Sequence, residues 1–309
     1  NDRWMGEMAW LMFAYLYYEK EYGRGRYDEI VGLLKDLLVE WYTDDPKRLA
    51  LSIDRFLADA QLPELQGEVV AVMAPHAGHF YSGAVAGYAF AALRGLQPEV
   101  VAVVSPTHYA YPPALLTTAH HAYGTPLGVI PVDIEAVNAL DDRLEQTLGI
   151  RLAAVRRDPE HSLEIQLPFL QRALAGEFLL LPVMVREQTA DVTQRLGLAL
   201  AHVLQGRRAL LVASTDLSHF YTHAAAVELD AEMLHRVEAF DPQGVLLAEE
   251  EGKGFACGRG AVAAVLWAAR ELGADTVKVL KHATSGDVTG DRSRVVGYGA
   301  AVILRSNLE

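Results

Sequence analysis

Apolar residues dominate six stretches of this chain, near residues 68–74, 99–105, 178–185, 209–214, 276–281 and 295–304, and run nearly continuously through those at 69–74, 100–104 and 210–213. Runs of Val, Ala and Leu without alternation predict strands buried on both faces, the pattern of a parallel sheet. Between and around them apolar positions recur every three or four residues, which predicts helices near 83–94, 133–141, 160–174, 189–204, 223–237, 241–248 and 260–272. The alternation of strand and helix implies an α/β fold, a three-layer αβα sandwich around a mostly parallel central sheet. Ahead of it, Asp45 and Pro46 read as the N-cap and first residue of another helix. Residues 1–37 hold two apolar stripes (Trp4, Met5, Met8, Leu11, Met12, Tyr15; then Ile30, Leu33, Leu34, Leu37) parted by Gly23 and Gly25. They predict a helical N-terminal extension, packed on the domain or on a second copy as a homo-oligomer contact. Residues 38–309 are expected to form one α/β domain, with no repeat or linker inside it.

Three of the apolar runs end in a short polar turn that carries a histidine: His76 after Pro75, His108 after Pro106-Thr107, and His219 after Ser214-Thr215-Asp216-Leu217-Ser218. Ligands of open α/β sheets collect outside the carboxyl ends of the strands. Three imidazoles at that edge can converge on one metal ion or one substrate. Asp216, three residues before His219, is placed to orient that imidazole by accepting its N–H, or to cap a turn. Cys257, in Phe255-Ala256-Cys257-Gly258-Arg259-Gly260, precedes an alanine-rich helix, where the helix dipole and Arg259 would favour a thiolate. The flanking glycines suggest close approach by another group, as Gly83 does after Tyr81-Ser82. Glu160-His161-Ser162-Leu163-Glu164 opens a helix that Pro168 is expected to kink, with His161 and Glu164 on one face and His161 able to carry a proton. The segment 285–292 alternates Gly and Asp and predicts a tight loop of architectural use. His120, His121, His202, His223, His235 and His282 have no such context and read as structural or exposed.

Charge and cysteine usage narrow the partners. Forty acidic against 27 basic residues give a net charge of −13, and no Lys/Arg-rich face is evident, so nucleic-acid binding is not expected. Cys257 is the only cysteine, which excludes an internal disulfide and fits a reducing, cytoplasmic setting. The apolar run from Met8 to Tyr18 is about half a membrane span and lacks a basic leader, so neither a membrane segment nor a signal peptide is expected.

Six ordered motifs then match something specific: Ala74-Pro75-His76-Ala77-Gly78 with Tyr81-Ser82-Gly83, Pro106-Thr107-His108, Glu160-His161-Ser162-Leu163-Glu164, Ser214-Thr215-Asp216-Leu217-Ser218-His219, Cys257-Gly258-Arg259-Gly260 and Ser285-Gly286-Asp287. Over about residues 38–305 the chain resembles the MEMO family, the B protein of the prokaryotic AmmeMemoRadiSam system. The resemblance implies a fold like the class III extradiol dioxygenases, whose non-haem Fe(II) is held by two histidines and a carboxylate. By that likeness His76 and His108 are the metal-binding histidines, and Cys257 stands where the carboxylate would. His219 matches the acid–base histidine, with Asp216 and His161 beside it as catalytic residues, and His79, Tyr81, Glu164 and Arg259 line the substrate pocket. The chain departs from the family at His79, where an aromatic residue is usual, and at Thr107 and Tyr109, which replace Ser and His. Fe(II) is the expected metal, with copper as a competitor because sulfur softens the site. The expected role is oxygen-linked redox chemistry on a small substrate. Two alternatives stand beside it: a non-enzymatic metal-binding or interaction protein acting with radical-SAM and AMMECR1-type partners, and a hydrolase with Cys257 as nucleophile, His219 as base and Asp216 as orienter.

Overall fold

The computed structural model describes residues 43–156 and 159–306, so the expected helical extension of residues 1–37 lies outside the described residues. Helix α1 (Pro46–Asp59) starts as its sequence predicts: Asp45 accepts the N–H groups of Lys47 and Arg48 at 2.8 and 3.1 Å, and Pro46 occupies the first turn. The chain continues through β1 (Glu68–Ala74), α2 (His79–Ala91), β2 (Val100–Pro106), β3 (Leu115–Thr118), β4 (Ala122–Thr125), β5 (Gly128–Pro131), α3 (Ile134–Leu148) and β6 (Ala153–Val155). A 3-10 turn (Glu164–Gln166) leads into α4 (Leu167–Ala173), then β7 (Leu179–Val185), α5 (Ala190–Leu204), β8 (Ala209–Ser214) and β9 (His219–Tyr221). The rest is α6 (His223–Glu238), α7 (Pro242–Glu250), α8 (Arg259–Glu271), β10 (Thr276–Thr284), α9 (Ser285–Thr289) and β11 (Val295–Arg305).

The main sheet runs β10-β11-β1-β8-β2-β7-β3-β6, with β9 also paired to β11. Its centre, β1-β8-β2-β7, is parallel. The antiparallel pairs lie to either side, β1 with β11, β11 with β10, and β7 with β3. Alternate residues of each central strand enter opposite cores. Val101 and Val103 of β2 pack with residues of α1, α2 and α4, while Val100, Ala102 and Val104 pack with residues of α3, α5, α6, α7 and α8. A strand with helices on both faces needs apolar side chains at every position, hence the nearly continuous runs. The expected αβα sandwich is what the structure contains.

Two local expectations are overturned. The helix expected over 160–174 is a turn followed by α4, and Pro168 lies in the first turn of α4, where its missing N–H costs nothing. Segment 285–292 begins with a short helix, α9, opened by a reciprocal capping box between Thr284 and Asp287. Strands β3, β4, β5, β6 and β9 have three or four residues each, too short to register as a pattern. Among the described residues no helix is long and apolar enough to cross a membrane.

Candidate metal centre

The strand order brings the chemistry together. Strand β8 lies between β1 and β2, with Ala74 opposite Ser214 and Val104 opposite Ala213, so the three carboxyl ends finish nearly level. His76 leaves β1, His108 leaves β2, and Ser214 and Asp216 stand at the end of β8. Cys257 comes from the loop before α8, which is laced onto the end of β8. Its N–H donates to the Asp216 carbonyl at 3.2 Å, the Gly258 N–H donates to Thr215 Oγ1 at 2.9 Å, and Gln188 Nε2 donates to the Cys257 carbonyl at 2.9 Å. A Cβ on Gly258 would fall 2.3 Å from the Ser214 carbonyl oxygen. The glycine is there to let the loop touch the strand end, not to admit a ligand. Gly83 is similar: its open side is filled by the ring of Phe56, 2.4 Å from where a Cβ would be.

His76, His108 and Cys257 each offer one ligand atom, all within 4.8 Å of one another. The sulfur lies 3.2 Å from His76 Nε2. His76 is buried, Cys257 partly buried and His108 exposed, so the cluster opens on the His108 side.

Hydrogen-bond accounting fixes how the two imidazoles are presented. The Ser214 hydroxyl donates its single proton to the Ser162 carbonyl at 2.6 Å and accepts from Gln166 Nε2 at 2.8 Å. It can then only accept from His76 Nδ1, 3.0 Å away, which puts the ring proton on Nδ1 and leaves Nε2 bare towards the sulfur. Glu160 orients His108 in turn. Its carboxylate lies 3.0 Å from His108 Nδ1 and also accepts the N–H groups of His108, His161 and Ser162 at 2.5, 3.0 and 2.9 Å. Burial pushes the Glu160 carboxyl up, but the hydrogen bond and charge of His108, with the charge of His161, outweigh it and hold it far below the usual range. Glu160 forms a second ligand group with His108 and His161. Its oxygens are already spent on the ring and three amides, so its work is orienting His108.

Burial also pushes His76 down to about 3, against the opposing charge of Asp216, so the ring is neutral. The Cys257 thiol is pushed well up by burial and then by Asp216, contrary to the activated thiolate expected beside Arg259. Arg259 is instead ion-paired with Glu249 of α7. A coordinated cation would reverse the balance, since it stabilises thiolate directly. Two imidazoles and one sulfur, oriented by their hydrogen bonds, fit a single transition-metal ion.

Other expected site residues divide. His161 joins the cluster, its ring stacked on His108 at 5.4 Å and edge-on to His76 at 5.8 Å. Asp216 does not orient His219. Its Oδ1 accepts the N–H groups of His76 and Ala77 at 2.8 and 3.2 Å, fixing the loop after β1, because the β8 end faces β1 rather than its own downstream turn. His219 donates Nδ1–H to the Leu217 carbonyl at 2.8 Å and packs against Phe255 at 5.5 Å, outside the ligand trio. The Cys257-His219-Asp216 triad is therefore not assembled; the sulfur's imidazole is His76. His79 is buried in the α2–α4 packing, with Nε2 3.3 Å from the Ile165 carbonyl and its ring 4.9 Å from Phe169, so it does not line an open pocket. Tyr81 and Glu164 are partly buried beside these segments. Sequence reading missed Glu160, Ser214 and Gln166; the acid directly before His161 was the available signal.

The fold and the site together define an α/β protein with a His–His–Cys donor set at the carboxyl edge of parallel strands. Comparison with known proteins narrows this: a profile of the family described as Memo-like protein matches residues 39–302. MEMO1 family proteins of Nitrosopumilus maritimus and Methanopyrus kandleri are each 34% identical to it, over 75% and 86% of this chain and 83% and 96% of their own lengths. That of Pyrobaculum aerophilum is 34% identical over 79% of this chain and 87% of its own. The chain belongs to the Memo-like protein family.

Proposed function

We propose that this chain is a metal-dependent redox protein in which His76, His108 and Cys257 hold one ion, iron(II) first and copper as its competitor, and act on a small molecule with oxygen as co-substrate. One observation carries the reading: donor atoms from residues 76, 108 and 257 lie within 4.8 Å of one another, each imidazole being oriented through Nδ1 by a neighbouring side chain. When bound, such an ion supplies Lewis acidity and electron transfer, and three protein donors leave positions open for small ligands.

The protein's own part is positional. Ser214 and Glu160 keep both rings in the ligating tautomer, and Asp216 holds the His76 loop in place. The small molecule approaches from the exposed His108 side, under the ring of His161. His219, with Nδ1 engaged by a carbonyl, takes or gives a proton at Nε2.

The test is elemental analysis of protein purified without oxygen, native beside His76→Ala and Cys257→Ala. About one iron or copper per chain in the native protein, lost from both variants, is the expected result. A native protein purified free of both metals, and refusing them on addition, would end the proposal.

A further inference from the structure

Asp230 of α6 is wholly buried, and nothing in the centre described above uses it. Its carboxylate fills space that a side chain on β11 would occupy: a Cβ on Gly297 would fall 1.9 Å from Oδ2. Oδ1 accepts the Ser218 N–H at 2.9 Å, and Oδ2 lies 2.8 Å from Nε2 of His282 on β10. The Ser218 N–H and the Leu217 C=O are the two ends of one peptide group. The Leu217 carbonyl is the acceptor of His219 Nδ1–H, at 2.8 Å. Carboxylate, peptide and imidazole thus form one continuous hydrogen-bonded chain. The segment is also pinned to β11, since Leu217 N–H donates to the Gly297 carbonyl and Gly297 N–H to the Ser218 carbonyl, both at 2.8 Å.

Hydrogen bonds in such a chain polarise one another. An anion at the N–H end of a peptide makes its carbonyl a stronger acceptor, which favours the ring proton on Nδ1. Free histidine in water prefers it on Nε2. Asp216, three residues away, was the obvious carboxylate for this work, but the fold commits it to His76 and Ala77.

We propose that Asp230 is the positioning residue of His219, acting through the Leu217–Ser218 peptide to hold the ring with its proton on Nδ1 and its lone pair on Nε2, with His282 as the second anchor of the carboxylate. The inference deepens the reading of His219 as the site's proton-handling group and rests on it for its functional meaning.

Imidazole nitrogen–proton correlation spectra of the full chain test it without any assumed reaction. Native His219 is expected as the Nδ1–H tautomer. Asp230→Ala should move most of it to Nε2–H and speed solvent exchange of the Ser218 amide by about tenfold or more. Asp230→Asn keeps an acceptor for the Ser218 N–H but not the charge, so its Nδ1–H fraction should lie between native and alanine, with exchange of the Ser218 amide within about threefold of native. If the alanine variant does not fold, Asp230→Ser, one bond shorter, replaces it. A ring that stays Nδ1–H in the alanine or serine variant, or that is Nε2–H in the native protein, overturns the proposal. Metal content of the same samples reads the centre separately: a metal-free native protein with the expected tautomer pattern would sink the metal reading and leave Asp230 in place.

Discussion

His76 and His108 look alike in the sequence, each one or two residues past a strand and a proline, yet the structure holds them by opposite means. A neutral serine hydroxyl, itself directed by Gln166 and Ser162, orients the buried ring. A buried carboxylate orients the exposed one. The acceptor beside an imidazole sets both its tautomer and its basicity, so these partners matter nearly as much as the ligands. Glu160→Gln keeps an oxygen for the amides of His161 and Ser162 but removes the charge from His108 Nδ1. Iron(II) affinity is expected to fall about 10- to 100-fold, measured by chelator competition, while the melting curve stays cooperative. Unchanged affinity would show that His108 needs no carboxylate. The two histidines and the sulfur that meet at the strand ends were legible from their settings and from the family likeness. Glu160 was not, because its partner ring lies 52 residues away in sequence. Asp216 was misread for a related reason: closeness to His219 along the chain lost to closeness to His76 across two strands.

Periodicity located most principal strands and helices to within a few residues, but the helix expected over 133–141 runs on to Leu148 and that expected over 160–174 begins only at Leu167. Helix α2 begins at His79 rather than 83, because the Gly78 carbonyl takes the N–H groups of Tyr81 and Ser82 and so closes the first turn early. The same helix shows how a pair of elements sets its own spacing. A Cβ on Gly87 would lie 2.5 Å from the Phe56 carbonyl of α1, which is backbone and cannot rotate away. Gly87→Ala gains helix propensity of about 1 kcal/mol, but overpacking costs about 1–3 kcal/mol and here means moving a whole helix. A net destabilisation of up to about 2 kcal/mol is expected from urea unfolding. Stabilisation would mean that α1 yields more easily than its buried Leu49, Ile53 and Leu57 suggest.

Global stability should carry the mark of His79, a histidine that folding buries without making it a ligand. Burial lowers it from 6.5 to about 4, against the hydrogen bond that its ring donates to the Ile165 carbonyl. Above pH 6.5 the ring is neutral in both states and contributes no slope. Between 6.5 and about 4 the unfolded chain binds a proton that the folded chain refuses, so stability falls as pH drops. The loss from this ring totals about 3 kcal/mol and levels off below that window. His79→Phe should therefore make the acid limb of stability shallower by about 1.4 kcal/mol per pH unit, read from urea midpoints between pH 7 and 4.5. Equal slopes in the two proteins would contradict the assignment. The αβα layering, the nearly continuous apolar strands and the histidine-bearing turns could be read directly from the amino acids, because burial on one or two faces leaves a local period in the chain. The placing of β8 between β1 and β2, the docking of the Cys257 loop on the end of β8, and the diversion of Asp216 and Asp230 to partners far along the chain could not. Strand order and loop docking are set by the summed packing of the two cores, and no local period encodes which neighbour a strand end will meet.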